Sequence, residues 1–186
     1  MGRIVATEYV TLDGVFEEPG NWSFQFWNVE ALTFKFDELL ASDAMLLGRV
    51  TYQGFAAAWP SMRDEQGFAD RMNSLPKYVV STTLKEATWN NSTLLKGNVV
   101  DEVTKLKQQF ERDILLGGSG QLVRTLMQHD LIDEYRFMLH PIVLGNGKRL
   151  FADGLDTSVL KLVGTQAFSS SVVILTYRPA QQAAAQ

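Results

Sequence analysis

At 186 residues, 46% apolar and 20% charged, the chain has the length and balance of one globular domain with a sizeable core. A formal net charge of −4 excludes the broad basic face that nucleic-acid binding needs. The absence of cysteine excludes disulfides, thiolate nucleophiles and cysteine zinc sites, and with two histidines a multi-histidine metal centre is excluded as well.

The start, Met1-Gly2-Arg3-Ile4-Val5, enters an alternating pattern at once. No apolar run has the length of a signal peptide or membrane span, so cytoplasmic residence and no membrane partner are expected. Ile4 to Val10 alternates apolar and polar positions and predicts a strand. Thr11-Leu12-Asp13-Gly14 follows as a turn, and Glu17 to Asn21 continues a long loop. A helix is expected from Val29 to Ala41, with Leu32, Phe36, Leu39 and Leu40 on one side. Ala44 to Leu47, ending at Gly48, suits a strand buried on both faces. Thr51 to Ala58 and Glu65 to Ser74 read as short helices, Lys77 to Ser81 as a second buried strand and Ser92 to Leu95 as a weaker one. Asn98 caps a helix with Asp101 and Glu102 in its first turn and Val100, Val103, Leu106 and Phe110 as its buried stripe. Ile114-Leu115-Leu116 is a further central strand, and Gln121 to Gln128 a helix with Leu122, Val123, Leu126 and Met127 inward. Strands at Tyr135 to Val143, Leu160 to Phe168 and Ser170 to Tyr177 complete the series. The order implies an α/β fold with a mainly parallel central sheet, helices on both faces and an antiparallel C-terminal edge. One domain is expected over 1–179, with a frayed tail over 180–186.

The strongest chemical signal is the run Ile114-Leu115-Leu116-Gly117-Gly118-Ser119-Gly120-Gln121-Leu122. A strand empties into three glycines and a serine, and a helix begins at once. Glycines admit close backbone approach, and the free N–H groups of a helix start favour an anion such as a pyrophosphate. The spacing is neither GxGxxG nor a Walker loop, and taken alone a tight turn without ligand explains it equally well. Gly48-Arg49-Val50-Thr51-Tyr52 repeats the arrangement with a fixed guanidinium, whose planar fork suits phosphate. Taken alone, Arg49 is a solvated surface residue and Thr51 an N-cap. Two such turns at the carboxyl ends of adjacent strands favour a shared dinucleotide.

These runs, with Thr11-Leu12-Asp13-Gly14, Lys77 to Ser81, Asp133-Glu134, Pro141 to Gly147 and Leu150-Phe151, cover nearly the whole chain. The chain resembles the reductase domain of bacterial riboflavin biosynthesis, the RibD C-terminal domain family, within the dihydrofolate-reductase-like superfamily. The resemblance implies NADPH across the carboxyl edge of the sheet. Arg49 and Thr51 would then hold cofactor phosphates, beside Gly48, and Ser81 and Thr82 the adenosine ribose or its 2′-phosphate. Gly117, Gly118, Ser119, Gly120 and Gln121 would hold the pyrophosphate, while Ala6 and Thr7 would face the nicotinamide. The loop from Thr11 to Phe16 would close over it. By the same resemblance the Gly117–Gly118 bond is a candidate cis peptide. Three departures stand out. Thr82 occupies a position often basic in relatives, which leaves NADH open beside NADPH. Thr7 stands where riboflavin reductases carry Lys. Trp27 and Asn28 fall where dihydrofolate reductases carry their substrate-binding acid, which disfavours folate reduction.

For proton donation the candidates are Glu30 and Asp13, with Asp37 about two turns beyond Glu30; solvated acids and a turn-shaping Asp13 are the plainer readings. The dense aromatics Trp22, Phe24, Phe26, Trp27, Phe34 and Phe36 suit a wall for a planar ring, or core packing, or a subunit contact. Thr11, Trp22, Trp27 and Phe34 are the expected substrate-pocket residues. His140 on an interior strand reads as a packed histidine. The expected function is an NAD(P)H-dependent reductase of a small heterocycle, of the 5-amino-6-(5-phosphoribosylamino)uracil reductase type. A non-catalytic nucleotide-binding protein is the alternative, and a dihydrofolate reductase a weaker one. An exposed antiparallel edge plus surplus aromatics favours a homodimer.

Overall fold

The structure, a computed structural model, describes residues 1–151 and 153–180. The tail expected to fray lies, from 181 on, outside the described residues. Eight strands form one sheet: β1 (Arg3–Thr11), β2 (Ser42–Gly48), β3 (Lys77–Val80), β4 (Ser92–Leu95), β5 (Asp113–Gly117), β6 (Glu134–His140), β7 (Leu160–Ala167) and β8 (Val173–Pro179). Their order is β4-β3-β2-β5-β1-β6-β8-β7. The first six of that order run parallel, while β8 is antiparallel to both β6 and β7. The helices are α1 (Val29–Leu40), α2 (Arg49–Ala58), α3 (Phe68–Ser74), α4 (Val99–Gln109) and α5 (Gly120–Gln128).

Alternation along the strands sorts the core into two layers. Ile4, Ala6 and Val10 of β1 pack with Val103 and Leu106 of α4 and with Leu122, Val123 and Leu126 of α5. Val5, Met45, Leu47 and Leu115 face the other way, against Leu39 of α1, Tyr52 of α2 and Met72 of α3. A smaller cluster joins Ala31, Met138, Phe168, Val172 and Ile174 under the start of α1. The expected fold class is therefore the observed one: a mostly parallel sheet, helices on both faces, an antiparallel edge.

Local chemistry explains where elements stop. Strand β6 ends at His140 rather than Val143 because Pro141 has no N–H for the ladder. Ser171 takes a left-handed turn (φ 64°), so β8 starts at Val173 instead of Ser170. The Asp64 carboxylate accepts from Phe68 N (2.8 Å) and Ala69 N (2.6 Å), which moves the start of α3 from Glu65 to Phe68. Asn98 caps α4 as expected, accepting from Val100 N at 3.0 Å. Helix α1 differs most: Leu40 is 47% exposed, and its buried residues are Ala31, Glu38 and Leu39. Charge on the sheet beneath turns that helix, because Arg136 Nη1 lies 3.2 Å from Glu38 Oε1.

Candidate functional site

Strands β2 and β5 are neighbours, so the two helix starts that follow them meet at the carboxyl edge. Ser119 joins the turns. Its Oγ accepts from Gly48 N at 2.8 Å and lies 2.9 Å from Thr51 Oγ1. The close fit requires glycine on both sides. A Cβ on Gly48 would meet Ser119 Oγ at 2.6 Å, and one on Gly118 would meet Thr51 Oγ1 at 2.7 Å. Gly118 (φ 59°) and Ser119 (φ 64°) are both left-handed, and this pair of residues makes the reversal into α5. The described peptide bonds are all trans, so the cis bond suggested for Gly117–Gly118 is not formed; the left-handed pair turns the chain without it.

Arg49, the first residue of α2, is exposed, and its Nη1 donates to Gln53 Oε1 at 3.1 Å. Its guanidinium thus stands at the rim of the joined turns. Gly120 is buried beneath the Phe16 ring, which any side chain at Gly120 would strike, while Gln121 is exposed. Ser81 lies at the end of β3, one strand beyond β2, where its Oγ accepts from Leu84 N (3.0 Å) and Thr83 N (3.2 Å); Thr82 beside it is exposed. Arg49, Thr51, Ser81 and the glycine turn therefore share one edge.

Next to this edge lies a notch. Strand β1 pairs with β5 only as far as Thr7 opposite Gly117, but with β6 as far as Thr11 opposite His140. Beyond Gly117 the β5-facing side of β1 has no strand partner. Ala6 is fully buried at the base. Thr7 sits on the α1 side, where Lys35 Nζ donates to its Oγ1 at 2.8 Å and its own hydroxyl donates to Glu38 Oε2 at 3.0 Å. Lys35 also pairs directly with Glu38 and lies 5.4 Å from the Tyr9 ring centre. Burial alone would lower the Lys35 pKa, but Glu38 and its neighbours outweigh it and hold the ammonium above its ordinary value. An amino group therefore reaches Thr7 from α1, although no Lys precedes the turn in β1. No pattern in the helix marked Lys35 as inward, since its partner Thr7 comes from a distant strand and Glu38, its other partner, is held by Arg136 of another.

Glu8 faces the other way. Alternation places it between Ala6 and Val10 on the α5 side of β1; it is 2% exposed, and its Oε1 has no hydrogen-bond partner. Burial pushes its carboxyl up to about 8, with Lys35 pulling weakly against that. Sequence reasoning passed over Glu8, yet a signal was there: an acid at an inward position of an otherwise apolar stripe, Ile4-Ala6-Glu8-Val10.

The acids singled out earlier are engaged elsewhere. Asp13 accepts from Thr11 Oγ1 (2.6 Å), Gly145 N (2.8 Å) and Leu144 N (3.2 Å), and the Thr11 hydroxyl foremost, then these amides, holds its carboxyl down to about 2. It fastens the loop that carries Phe16 to residues 144–145. Glu30 accepts from the Ser169 hydroxyl and from Ser169 N (2.7 Å), and these bonds lower its pKa at the start of α1.

The aromatics divide into groups. Trp22, Tyr9 and Phe26 surround the fully buried His140 ring at centroid distances of 5.1, 5.6 and 5.8 Å. His140 Nδ1 bonds Met138 O at 2.8 Å, and burial lowers its pKa. Trp27 meets Tyr9 edge-on at 6.2 Å, and its buried Nε1 has no partner. Phe34 packs on Phe168, Phe36 on Phe68, and Phe24 is 69% exposed. Thr11 is buried at the root of the Phe16 loop, where its hydroxyl accepts from Val15 N at 2.9 Å. Thr11, Trp22 and Trp27 thus gather around the carboxyl ends of β1 and β6, with Phe34 farther along α1.

The joined turns fit a dinucleotide on structural grounds: two helix starts side by side, glycines without room for a Cβ, and a rim guanidinium. Comparisons agree with this fold. The model of the RibD C-terminal domain matches residues 3–174. The uncharacterized protein YyaP of Bacillus subtilis is 35% identical over 179 residues, covering 94% of each chain. The crystal structure of a protein from Shewanella sp. PV-4 described as a "putative riboflavin biosynthesis protein" superposes with a TM-score of 0.78 at 22% identity, covering 96% of this chain and 99% of the other. Dihydrofolate reductase from Enterococcus faecalis, solved with NADP(H), gives a TM-score of 0.65 at 16% identity over 97% and 98% of the two chains. With a family match over nearly its whole length and a relative of 35% identity over 94% of each chain, the chain belongs to the RibD C-terminal domain family.

Proposed function

We propose that the protein is an NADPH-dependent reductase of a small heterocyclic substrate, of the aminouracil-reductase type. The observation that carries this reading is Ser119, which ties the starts of α2 and α5 into a single anion-ready edge beside Arg49. When bound, the cofactor supplies a hydride from its nicotinamide ring. The residues of this chain supply the rest. Amides of the glycine turn and the Arg49 guanidinium take the phosphates, and Ser81 and Thr82 lie where the adenosine end would rest. Thr7 and Ala6 line the notch for the nicotinamide. The Thr11–Phe16 loop, held by Asp13, shields it from water. Trp22 and Trp27 border the substrate side.

No helix among the described residues is long and apolar enough to cross a membrane. Strand β7 closes the sheet with Leu162 47% exposed, and Val159 before it is 70% exposed. Such an uncovered apolar edge favours a homodimer, which light scattering tests; a monomer at working concentration removes that part.

Energy transfer from tryptophan to NADPH measures cofactor binding, and loss of NADPH absorbance with oxidised pterins, flavins and aminouracils measures turnover. Saturable transfer at sub-millimolar cofactor and oxidation with at least one compound are expected. Binding without turnover on the whole panel would leave a nucleotide-binding protein, and no binding at millimolar NADPH would remove both readings.

A further inference from the structure

We propose that two copies of this chain dock face to face, each laying its α1 on a bare shelf formed by β8 and β7 of the other. The assignment rests on the homodimer reading above and names the face used. On the α1 side of the sheet, helices sit over pairs of strands. Helices α2 and α3 pack on Met45, Leu47 and Val79 of β2 and β3. Helix α1 covers Thr7 of β1 and Arg136 and Met138 of β6. Past Ile174, which lies under the start of α1, β8 and its neighbour β7 carry no helix on this side among the described residues. Two strand spacings of about 4.8 Å make that shelf about 10 Å wide, the diameter of one α-helix. A groove of about 500 Å³ runs along α1 there, from Val29 and Thr33 down to Ala41, and Arg136 and Gln166 also line it.

Register decides what the shelf presents. Opposite residues of an antiparallel pair share a face, and Arg178 reaches Glu134 beside Arg136 on the α1 side. Lys161 lies opposite Arg178, Gly164 opposite Thr176 and Gln166 opposite Ile174, so these residues form the shelf. Leu162 and Thr165, opposite Tyr177 and Leu175, face the other way. The shelf is therefore basic at one end and small in its middle, where a helix can come close. The outward side of α1 is its complement. Val29 is 79% and Leu40 47% exposed, Glu30 and Asp37 supply the charges, and the one basic residue of the helix, Lys35, points inward.

Neither Asp37 nor Lys161 forms an ion pair among the described residues. They stand at similar heights along the strands. Glu38, beside Asp37, bonds Arg136, while Arg178, opposite Lys161, bonds Glu134, two residues along β6. A two-fold axis along the strands then sets each Asp37 against the partner's Lys161. A surface acidic on its helix and basic on its shelf is complementary to itself, which selects a second copy over an unrelated protein.

Sedimentation equilibrium tests this with charge variants at two exposed positions, where the fold should be kept. Asp37→Lys and Lys161→Asp should each weaken the dimer by at least about tenfold, because each sets like charges together in both symmetric contacts. The double variant Asp37→Lys/Lys161→Asp should return the dissociation constant to within about threefold of wild type. Leu162→Lys, on the opposite face of β7, should also stay within about threefold. Single variants as dimeric as wild type, or a double variant that stays dissociated, overturn the docking. Dissociation by Leu162→Lys alone overturns it too and leaves a homodimer built on the other face. A monomeric wild type removes the homodimer reading and this docking with it, the shelf then being bare or serving another partner.

Discussion

On the α1 face of the central strands, from their amino end up to the level of Thr7, Asp113, Glu134 and Glu38 meet Arg3, Arg136, Arg178 and Lys35. Arg136 alone reaches all three carboxylates, at 3.3, 2.6 and 3.2 Å. Arg178 adds a contact of 2.8 Å to Glu134, and Arg3 one of 2.7 Å to Asp113. At the carboxyl end, Glu8 Oε1, Trp27 Nε1 and His140 Nε2 are buried without partners, and two successive residues are left-handed. The cluster around Arg136 has saturated its carboxylates; the carboxyl ends of β1 and β6 have left polar atoms open. Saturation holds a fold together, and unmet donors and acceptors at a strand end are what a ligand can complete.

Breaking the saturated end should give the largest effect. Arg136→Met leaves three buried carboxylates short of a partner, and denaturant melts should show a loss of about 3–5 kcal/mol. NADPH affinity per folded molecule should stay unchanged, because the Arg136 side chain is bonded to Glu38, Asp113 and Glu134 and to nothing in the glycine turn. A stable Arg136→Met protein would show that the network is solvated rather than structural.

Gly118→Val comes next and acts at the other end. The left-handed backbone costs about 1–2 kcal/mol for a side chain, and its Cβ also meets Thr51. Calorimetry should give NADPH binding weakened by at least about tenfold, beyond what that lost stability explains. Arg49→Gln sharpens the contrast further. Arg49 is exposed, so stability should move by no more than about 0.5 kcal/mol, while NADPH binding weakens about tenfold and becomes less sensitive to salt. Equal affinity in this variant would place the phosphates elsewhere.

The smallest effect belongs to Asp13. Its carboxyl is lowered in the fold, so its contribution is present above about pH 4 and is lost as the pH falls through about 2. The melting difference between wild type and Asp13→Asn should close over that acid window; a difference independent of pH would mean the carboxylate contributes no charge-assisted bonds.

The two ends also differed in how well the chain announced them. Alternation in Ile4–Val10, the apolar runs ending at Gly48 and Gly117, and the Asn98 cap marked strands, order and turns, because backbone period and capping are local properties. The joined turns were legible for the same reason: glycine, hydroxyl and Arg stand next to each other in sequence. The saturated end was not. Lys35 and Glu38 look like a solvated helix face until Arg136 is brought beneath Glu38 from 98 residues away and Thr7 beneath Lys35 from 28. Glu8 was missed although alternation in Ile4-Ala6-Glu8-Val10 marked its position as inward, because an acid in a strand is commonly read as solvated. Pairing over long separations decides the case of Lys35 and Glu38, and that is not written in a local pattern.

The claim that both turns hold one dinucleotide is tested most directly by amide chemical-shift mapping during an NADPH titration. The account predicts that Gly48, Arg49 and the amides of Gly118 to Gln121 shift together and saturate with a single dissociation constant. Shifts confined to one turn, or none at saturating cofactor, would contradict it.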